Sequence, residues 1–188
     1  MIEITTEQIE RVNLILQEVP HGAEKALSSV IRRAESTVRT EAVKQMTGVY
    51  AISKQNIRAE STVNMRTKKA DGGIVGTVSF AGYKLPLYRF SVSPTMPVQR
   101  ATVKAAVLKE NAQTPFEHAF IAQMKSGHTG MFERDTKART PITEFMGPAV
   151  AQMAGNSVVV EKVEEAAQET INKRVEHEIT RILNGYGG

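Results

Sequence analysis

Residues 116–150, FEHAFIAQMKSGHTGMFERDTKARTPITEFMGPAV, constrain the fold most strongly because this stretch specifies one particular backbone path. Apolar side chains at alternate positions predict strands at residues 116–124 and 131–134. The segment between them, residues 125–130, contains two glycines and predicts a tight turn. Further along, the Gly-Pro step at Pro148 predicts the start of a short helix, since proline fits the first helical turn. No reactive groups have a catalytic spacing here, so the stretch indicates a structural surface.

Both ends of the chain carry the periodicity of helices. Apolar residues recur every three or four positions over residues 5–19, 23–46 and, most clearly, 157–182, which predicts three amphipathic helices. Gly48 is expected to end the second helix, and Gly185 to form the C-cap of the last one. The chain therefore begins and ends with helices.

The middle of the chain is predicted to be β. Residues 59–67 and 73–80 alternate apolar and polar side chains on either side of residues 68–72, whose Asp-Gly pair is a hairpin turn signal. Residues 84–92 and 98–109 show similar patterns and predict two more strands. This order of elements predicts strands that pair with their neighbours along the chain.

Together these elements predict an α+β fold, with N-terminal helices and a long C-terminal helix packed on a mostly antiparallel sheet. A length of 188 residues suits one domain, and no segment has the length or composition of an interdomain linker. We predict a single domain over residues 1–188. It has N-terminal helices in residues 1–50, a β-rich basic centre in residues 59–134 and C-terminal helices in residues 148–185.

Positive charge is concentrated in this centre. The chain has 24 Lys and Arg and 20 Asp and Glu, for a net charge of +4. Residues 53–109 contain ten basic residues against Glu60 and Asp71, so this segment carries +8 and the rest of the chain −4. Such asymmetry favours a nucleic acid or an acidic protein as partner, although a solvated sheet face is the simpler alternative. The predicted patch consists of Arg66, Lys68, Lys69, Arg100 and Lys104.

Several classes of function lack the residues they need. The chain has no cysteine, which excludes a disulfide framework, a Cys-ligated zinc site and a Cys nucleophile. No serine lies in a G-x-S-x-G or S-x-x-K motif, and the glycine-rich GGIVG lacks the Lys-Ser/Thr of a P-loop. No apolar run approaches the roughly 20 residues that span a bilayer, and no signal peptide pattern is present. We therefore predict no enzymatic activity, no cofactor and no membrane partner.

Two histidines leave one catalytic alternative open. His118 and His128 flank the predicted turn with Glu133 nearby, and this set could hold the metal of a small hydrolase. The spacing matches no known ligand pattern, so solvent-exposed turn histidines are the favoured interpretation. Glu133 and Asp135 could similarly form a carboxylate pair, but a surface ion-pair cluster is the simpler interpretation.

An ordered set of short motifs also occurs in this half of the chain. AFIA at residues 119–122 is followed by SGHTGMFER at 126–134, RTPI at 139–142 and GPAV at 147–150, and then by the amphipathic helix. The set resembles the minor tail protein Z family of long-tailed bacteriophages and prophages. The resemblance extends over nearly half of the chain, and the N-terminal half carries no motif of its own.

The resemblance implies a structural protein at the head-proximal end of the tail, in tail completion or head–tail joining. It also implies a ring subunit, commonly in a hexamer. The implied partners are other copies of the chain, tail-tube and neck or terminator proteins, and DNA that passes non-specifically. The implied location is the virion, after assembly in the bacterial host cytoplasm, and no catalytic residues are implied. We expect the assembly interface to include Gly127, His128, Gly130, Phe132, Arg134, Arg139, Pro141 and Ile142.

The main alternative is a non-specific nucleic-acid-binding module that uses the basic segment 53–109. Sequence-specific recognition is not supported, because the basic residues lie on predicted strands and not on a recognition helix. The two hypotheses differ in the partner that they assign to the basic patch.

Overall fold

A computed structural model of the chain describes residues 6–19, 21–70, 73–98 and 101–185. The helices are α1 Thr6–Ile15, α2 Gly22–Val49, α3 Lys54–Ala59, α4 Val150–Ala154 and α5 Ser157–Leu183. The strands are β1 Thr62–Ala70, β2 Gly73–Ala81, β3 Lys84–Pro86, β4 Ser91–Ser93, β5 Val103–Ala106, β6 Thr114–Phe116, β7 Phe120–Gln123, β8 Thr129–Arg134, β9 Ile142–Glu144 and β10 Met146–Ala149. The fold is α+β, as the sequence predicts.

The strands of the described residues form four small sheets instead of the one sheet expected from the sequence. β1 pairs with β2, and β3 pairs with β10. β4, β5 and β6 form one three-stranded sheet, and β7, β8 and β9 form another. Contacts divide the chain into two compact units. We call them the helical unit (Met1–Ala42, Val63–Ser79 and Ser157–Gly188) and the sheet unit (Val43–Thr62 and Phe80–Asn156).

The helical unit is organised around the apolar faces of α1, α2 and α5. Side chains three or four positions apart on each helix lie on one face and are removed from water together. An exposed ion pair between Arg11 and Glu176, with an N–O distance of 2.6 Å, also joins α1 to α5. The buried cluster comprises Val12, Leu16, Ala26, Leu27, Val30, Ile31, Ala34, Ile171, Val175, Ile179 and Ile182.

The β1–β2 pair lies against α2 through small and polar side chains. A Cβ atom added at Gly76 of β2 would lie 2.6 Å from Ile31 Cγ2 and 3.0 Å from Glu35 Oε1. Thr67 of β1 donates its hydroxyl proton to the buried Glu35 carboxylate at 3.0 Å. Glycine at position 76 therefore lets the strand approach the helix closely. The Thr67 hydroxyl group provides a hydrogen bond to the Glu35 carboxylate, whose burial would otherwise be energetically unfavourable.

The sheet unit combines the three remaining sheets with α3, α4 and the end of α2. Its most deeply buried side chains include Met46 and Ile57 from helices and Leu85 and Met131 from strands, all at 1% exposure or less. Phe145 donates its backbone N–H to the Met131 carbonyl at 2.9 Å. Short strands can be stable here because most of them bury at least one side chain in the sheet unit.

The helix predictions are largely confirmed. α5 spans Ser157–Leu183, and Gly185 takes a positive φ of 80° and donates its N–H to the Ile182 carbonyl at 3.0 Å. One detail is wrong, because Gly48 lies within α2, which continues to Val49.

Three of the predicted strands, at residues 84–92, 98–109 and 116–124, are longer than the observed ones. Residues 84–92 are interrupted by a 3-10 turn at Leu87–Arg89, where Leu87 donates its backbone N–H to the Phe145 carbonyl. Among the described residues of 98–109, only Val103–Ala106 form a strand, β5, and residues 116–124 are divided by a turn between β6 and β7. At residues 87–89 and between β6 and β7, the chain passes from one small sheet to another, and an alternating pattern does not show such a change of pairing partner.

Three residues of the turn predicted at 68–72 lie in a strand instead, because β1 extends to Ala70. Asp71 and Gly72, the turn signal itself, lie outside the described residues.

The helix start predicted at Pro148 is wrong. Pro148 lies in β10, which pairs with β3 with a register shift between Met146 and Ala149, an arrangement that tolerates a residue without an N–H. The helix begins at Val150, where the Gln152 side chain accepts the Ala149 N–H at 2.9 Å. Within the described residues, no helix is both long and apolar enough to cross a membrane.

Candidate functional site

The sheet of β7, β8 and β9 carries four of the eight predicted assembly residues, and the other four lie in the turns that flank β8. In this antiparallel sheet Phe120 is paired with Phe132 and Phe132 with Glu144, so these three side chains lie on one face. The opposite face carries Ile121 and Met131, which are buried in the sheet unit. We call the first face the Phe132 face. Its strand residues are Phe120, Ala122, Gly130, Phe132, Arg134, Ile142 and Glu144.

Phe132 is buried within the monomer, with only 5% of its surface exposed. Its ring lies 6.2 Å from the ring of Phe120 and 6.2 Å from the ring of His128, the latter with an edge-on geometry. The Arg134 guanidinium lies 5.1 Å from the centre of the Phe120 ring, within the range of a cation–π interaction. An aspartate at position 132 would therefore impair folding, and it is unsuitable as a test of assembly.

His128 pairs with a residue that the sequence pattern did not identify. Its Nε2 atom lies 2.7 Å from Glu144 Oε1, and the two side chains are 37% and 23% exposed. Gly127 precedes it with a φ of 86°, a conformation that favours glycine, and Met124 donates its N–H to the His128 carbonyl at 2.7 Å. The turn thus fixes the imidazole against β9.

Glycine is required at position 130 because the side chains of Glu144 and Phe132 leave no room for a Cβ atom. A Cβ atom there would clash with the Glu144 carboxylate and would lie 2.8 Å from Phe132 Cζ. Contacts this short force a neighbouring group to move. The glycine therefore allows the His128–Glu144 pair and the Phe132 ring to occupy adjacent positions.

The loop after β8 is held against the strand end. Arg134 Nη1 donates to the Arg139 carbonyl at 2.7 Å, and Asp135 donates its N–H to the Pro141 carbonyl at 3.2 Å. Arg134, Arg139 and Pro141 are exposed, and Ile142 is half-buried. The exposed part of the predicted interface is therefore this loop, the Arg134 side chain and Gly127.

The geometry does not bring the proposed metal ligands together. Glu133 points to the opposite side of β8 from Phe132 because neighbouring residues alternate, and His118 is exposed in the turn before β7. Among the described residues, no group of three His, Cys, Asp or Glu side chains could hold a metal ion.

The predicted basic patch is divided between the two units. Arg66, Lys68 and Lys69 belong to β1 in the helical unit, and Lys104 belongs to β5 in the sheet unit. Arg66, Lys68 and Lys104 are exposed, and Arg100 lies outside the described residues.

Sequence reasoning missed Glu144 because β9 has only three residues. A strand this short between Pro141 and Met146 carries too little alternation to be recognised. Phe120 was recognised as a strand residue, but its role beneath Arg134 depends on the pairing of β7 with β8.

Comparison with known proteins supports one family. The family model described as prophage minor tail protein Z (GPZ) matches residues 5–186. Neither the curated proteins nor the solved structures give a significant match. Because the family model extends over nearly the whole chain, the protein belongs to the prophage minor tail protein Z family and is a structural component of phage tails.

Proposed function

We propose that this protein is a ring subunit that acts at the head-proximal end of the tail, in tail completion or head–tail joining. Family membership over residues 5–186 is the observation that carries the proposal, because it assigns the chain to the tail. The partners in this proposal are further copies of the chain, the tail tube and the neck or terminator proteins.

The Phe132 face supports an assembly role more readily than a catalytic one. Its polar side chains are engaged with one another or with aromatic rings, as in the His128–Glu144 pair and the Arg134–Phe120 contact. The loop that ends at Pro141 is held by two hydrogen bonds to main-chain carbonyls. A surface fixed in this way can meet a partner with little loss of conformational entropy.

A ring places specific demands on such a surface. Copies related by rotation meet through two different surfaces, so that each copy presents one surface to each neighbour. We propose that the loop of residues 135–141 and the exposed Arg134 form one of these surfaces or the contact with the tail tube. Arg139 is the most useful residue for a test because its side chain is exposed and its known hydrogen bond uses the main-chain carbonyl.

Replacing Arg139 with glutamate tests the proposal directly. We expect this variant to keep the wild-type melting temperature and to associate at least about ten-fold more weakly, as charge reversal at an interface does. Light scattering after size-exclusion chromatography measures the mass, and negative-stain images show whether rings form. Addition to a phage lysate that lacks this protein tests whether complete, head-joined tails are restored.

Lys109→Glu is a matched control because Lys109 is exposed in the same unit and the charge change is identical. It should assemble like the wild type. Normal assembly and normal tail completion by Arg139→Glu would refute the assignment of the loop. A wild-type protein that stays monomeric and leaves tails unaffected would refute the proposed function as a whole.

A further inference from the structure

The described residues on the outer face of the β1–β2 pair are exposed. Thr67 and Gly76 point toward α2, where they meet Glu35. Because strand side chains alternate, Arg66 and Lys68 point to the other side, and both are exposed. Their neighbours Asn64, Val75 and Thr77 are also exposed. We call Arg66 and Lys68 the β1 basic pair.

The same unit carries a complementary pair of acids. Glu161 and Glu165 are exposed on α5, one helical turn apart on the same side, while Val159 and Val163 are buried. We call the two glutamates the α5 acidic pair. Neither forms an ion pair with any other described residue.

The rest of α5 differs in this respect. Glu169 is bonded to Lys173 on the same helix, and Glu176 is bonded to Arg11 of α1. The carboxylates farther along this helix are thus compensated inside the monomer. The α5 acidic pair is available to a cationic partner outside the monomer.

The two pairs also match in spacing. Side chains two residues apart on a strand are separated by about 6.6 Å along the chain. Side chains four residues apart on a helix are separated by about 6 Å. Two parallel ion pairs can therefore form between a β1 basic pair and an α5 acidic pair without distortion of either element.

We propose that the β1 basic pair of one copy docks on the α5 acidic pair of the next copy. This inference rests on the proposed ring, and it specifies which surfaces meet there. Every copy carries both surfaces, as head-to-tail closure of a ring requires. Exposed ion pairs add little affinity, but they determine which faces meet, because like charges brought together oppose association.

The observations favour this acidic protein surface over nucleic acid as the partner. The described outer face has only two exposed cations, Arg66 and Lys68, and no aromatic side chain on which a base could stack. The third described exposed cation of the predicted patch, Lys104, belongs to the other unit.

Charge reversal gives a stringent test with the full-length chain. Arg66→Glu with Lys68→Glu, and separately Glu161→Lys with Glu165→Lys, should each weaken association about a hundred-fold at low salt, since like charges then meet. The chain with all four substitutions should assemble again, because its two surfaces are complementary once more. An equimolar mixture of the two double variants should assemble too, in rings with alternating copies.

Lys54→Glu with Lys109→Glu is the matched control, with the same change of net charge at exposed positions of the sheet unit. It should assemble normally. The inference is overturned if wild-type rings form and either double variant forms them equally well, or if the fourfold variant fails to assemble while remaining folded. It is also overturned if charge reversal at Arg66 and Lys68 abolishes binding of the protein to a DNA duplex of about 30 base pairs without changing assembly. A duplex of about 30 base pairs is long enough for several phosphate contacts. A wild-type chain that never self-associates refutes both this contact and the proposed ring.

Discussion

Replacing Gly130 with alanine tests how tightly the Phe132 face is packed. The added methyl group would clash with the Glu144 carboxylate and lie 2.8 Å from Phe132 Cζ. The Phe132 ring has little room to move because it is 95% buried between Phe120 and His128. The glutamate must then move away from His128, or the strands must separate.

The expected cost follows from these contacts. Overpacking of a dense region destabilises by about 1–3 kcal/mol, and a weakened His128–Glu144 bond adds at most about 1 kcal/mol because both side chains are partly exposed. We therefore expect Gly130→Ala to lower the free energy of unfolding by about 2–3 kcal/mol. For a chain of this size, that corresponds to a fall in melting temperature of roughly 4–12 °C.

Gly48→Ala is a control with the same chemical change and the opposite expected sign. Gly48 lies near the end of α2 with no atom within 4 Å of the added Cβ position. Alanine there should be neutral or should stabilise by up to about 1 kcal/mol, since glycine is the poorer helix former. Urea unfolding monitored by circular dichroism measures both variants.

Two results would contradict the reasoning about Gly130. One is a Gly130→Ala protein as stable as the wild type, which would mean that the face is loosely packed. The other is a double variant, Gly130→Ala with Glu144→Ala, whose loss of unfolding free energy equals the sum of the two single losses. Removal of the clashing carboxylate should instead relieve part of the cost of the methyl group.

Two other predictions concern the helical unit. Gly76→Ala should destabilise the β1–β2 pair by about 1–3 kcal/mol, since the added Cβ would lie 2.6 Å from Ile31 Cγ2. Amide hydrogen exchange measures this, because the substitution should increase the exchange rate more in β1 and β2 than in α5. Exchange rates equal to those of the wild type would contradict the prediction. Glu178→Gln should remove part of the acid sensitivity of stability. Burial raises the pKa of Glu178, but hydrogen bonds from Arg181 and Ser29 and the nearby positive charges together lower it below its ordinary value of 4.5. Its stabilising contribution is therefore complete above the unfolded-state pKa near 4.5 and is lost as the pH falls through the lower folded-state pKa; parallel stability–pH curves for the wild type and Glu178→Gln would refute this.

The sequence alone determined the helices and the family. The apolar repeat of α5 and its cap at Gly185 depend on residues within one or two turns of each other, so a local pattern specifies them. The ordered motifs between Ala119 and Val150 led to the minor tail protein Z family, and the family model confirms this over residues 5–186. Neither conclusion required knowledge of how distant segments pair.

The tertiary structure decided the sheets and the accessible surface. Whether residues 116–124 form one strand or two depends on which segments pair with them, and so does the position of Pro148 in β10. The burial of Phe132 and the pairing of His128 with Glu144 arise from the register of three strands that are separated in sequence. Alternation can show that side chains share a face, but cross-strand register decides which of them meet, and burial decides which can reach a partner.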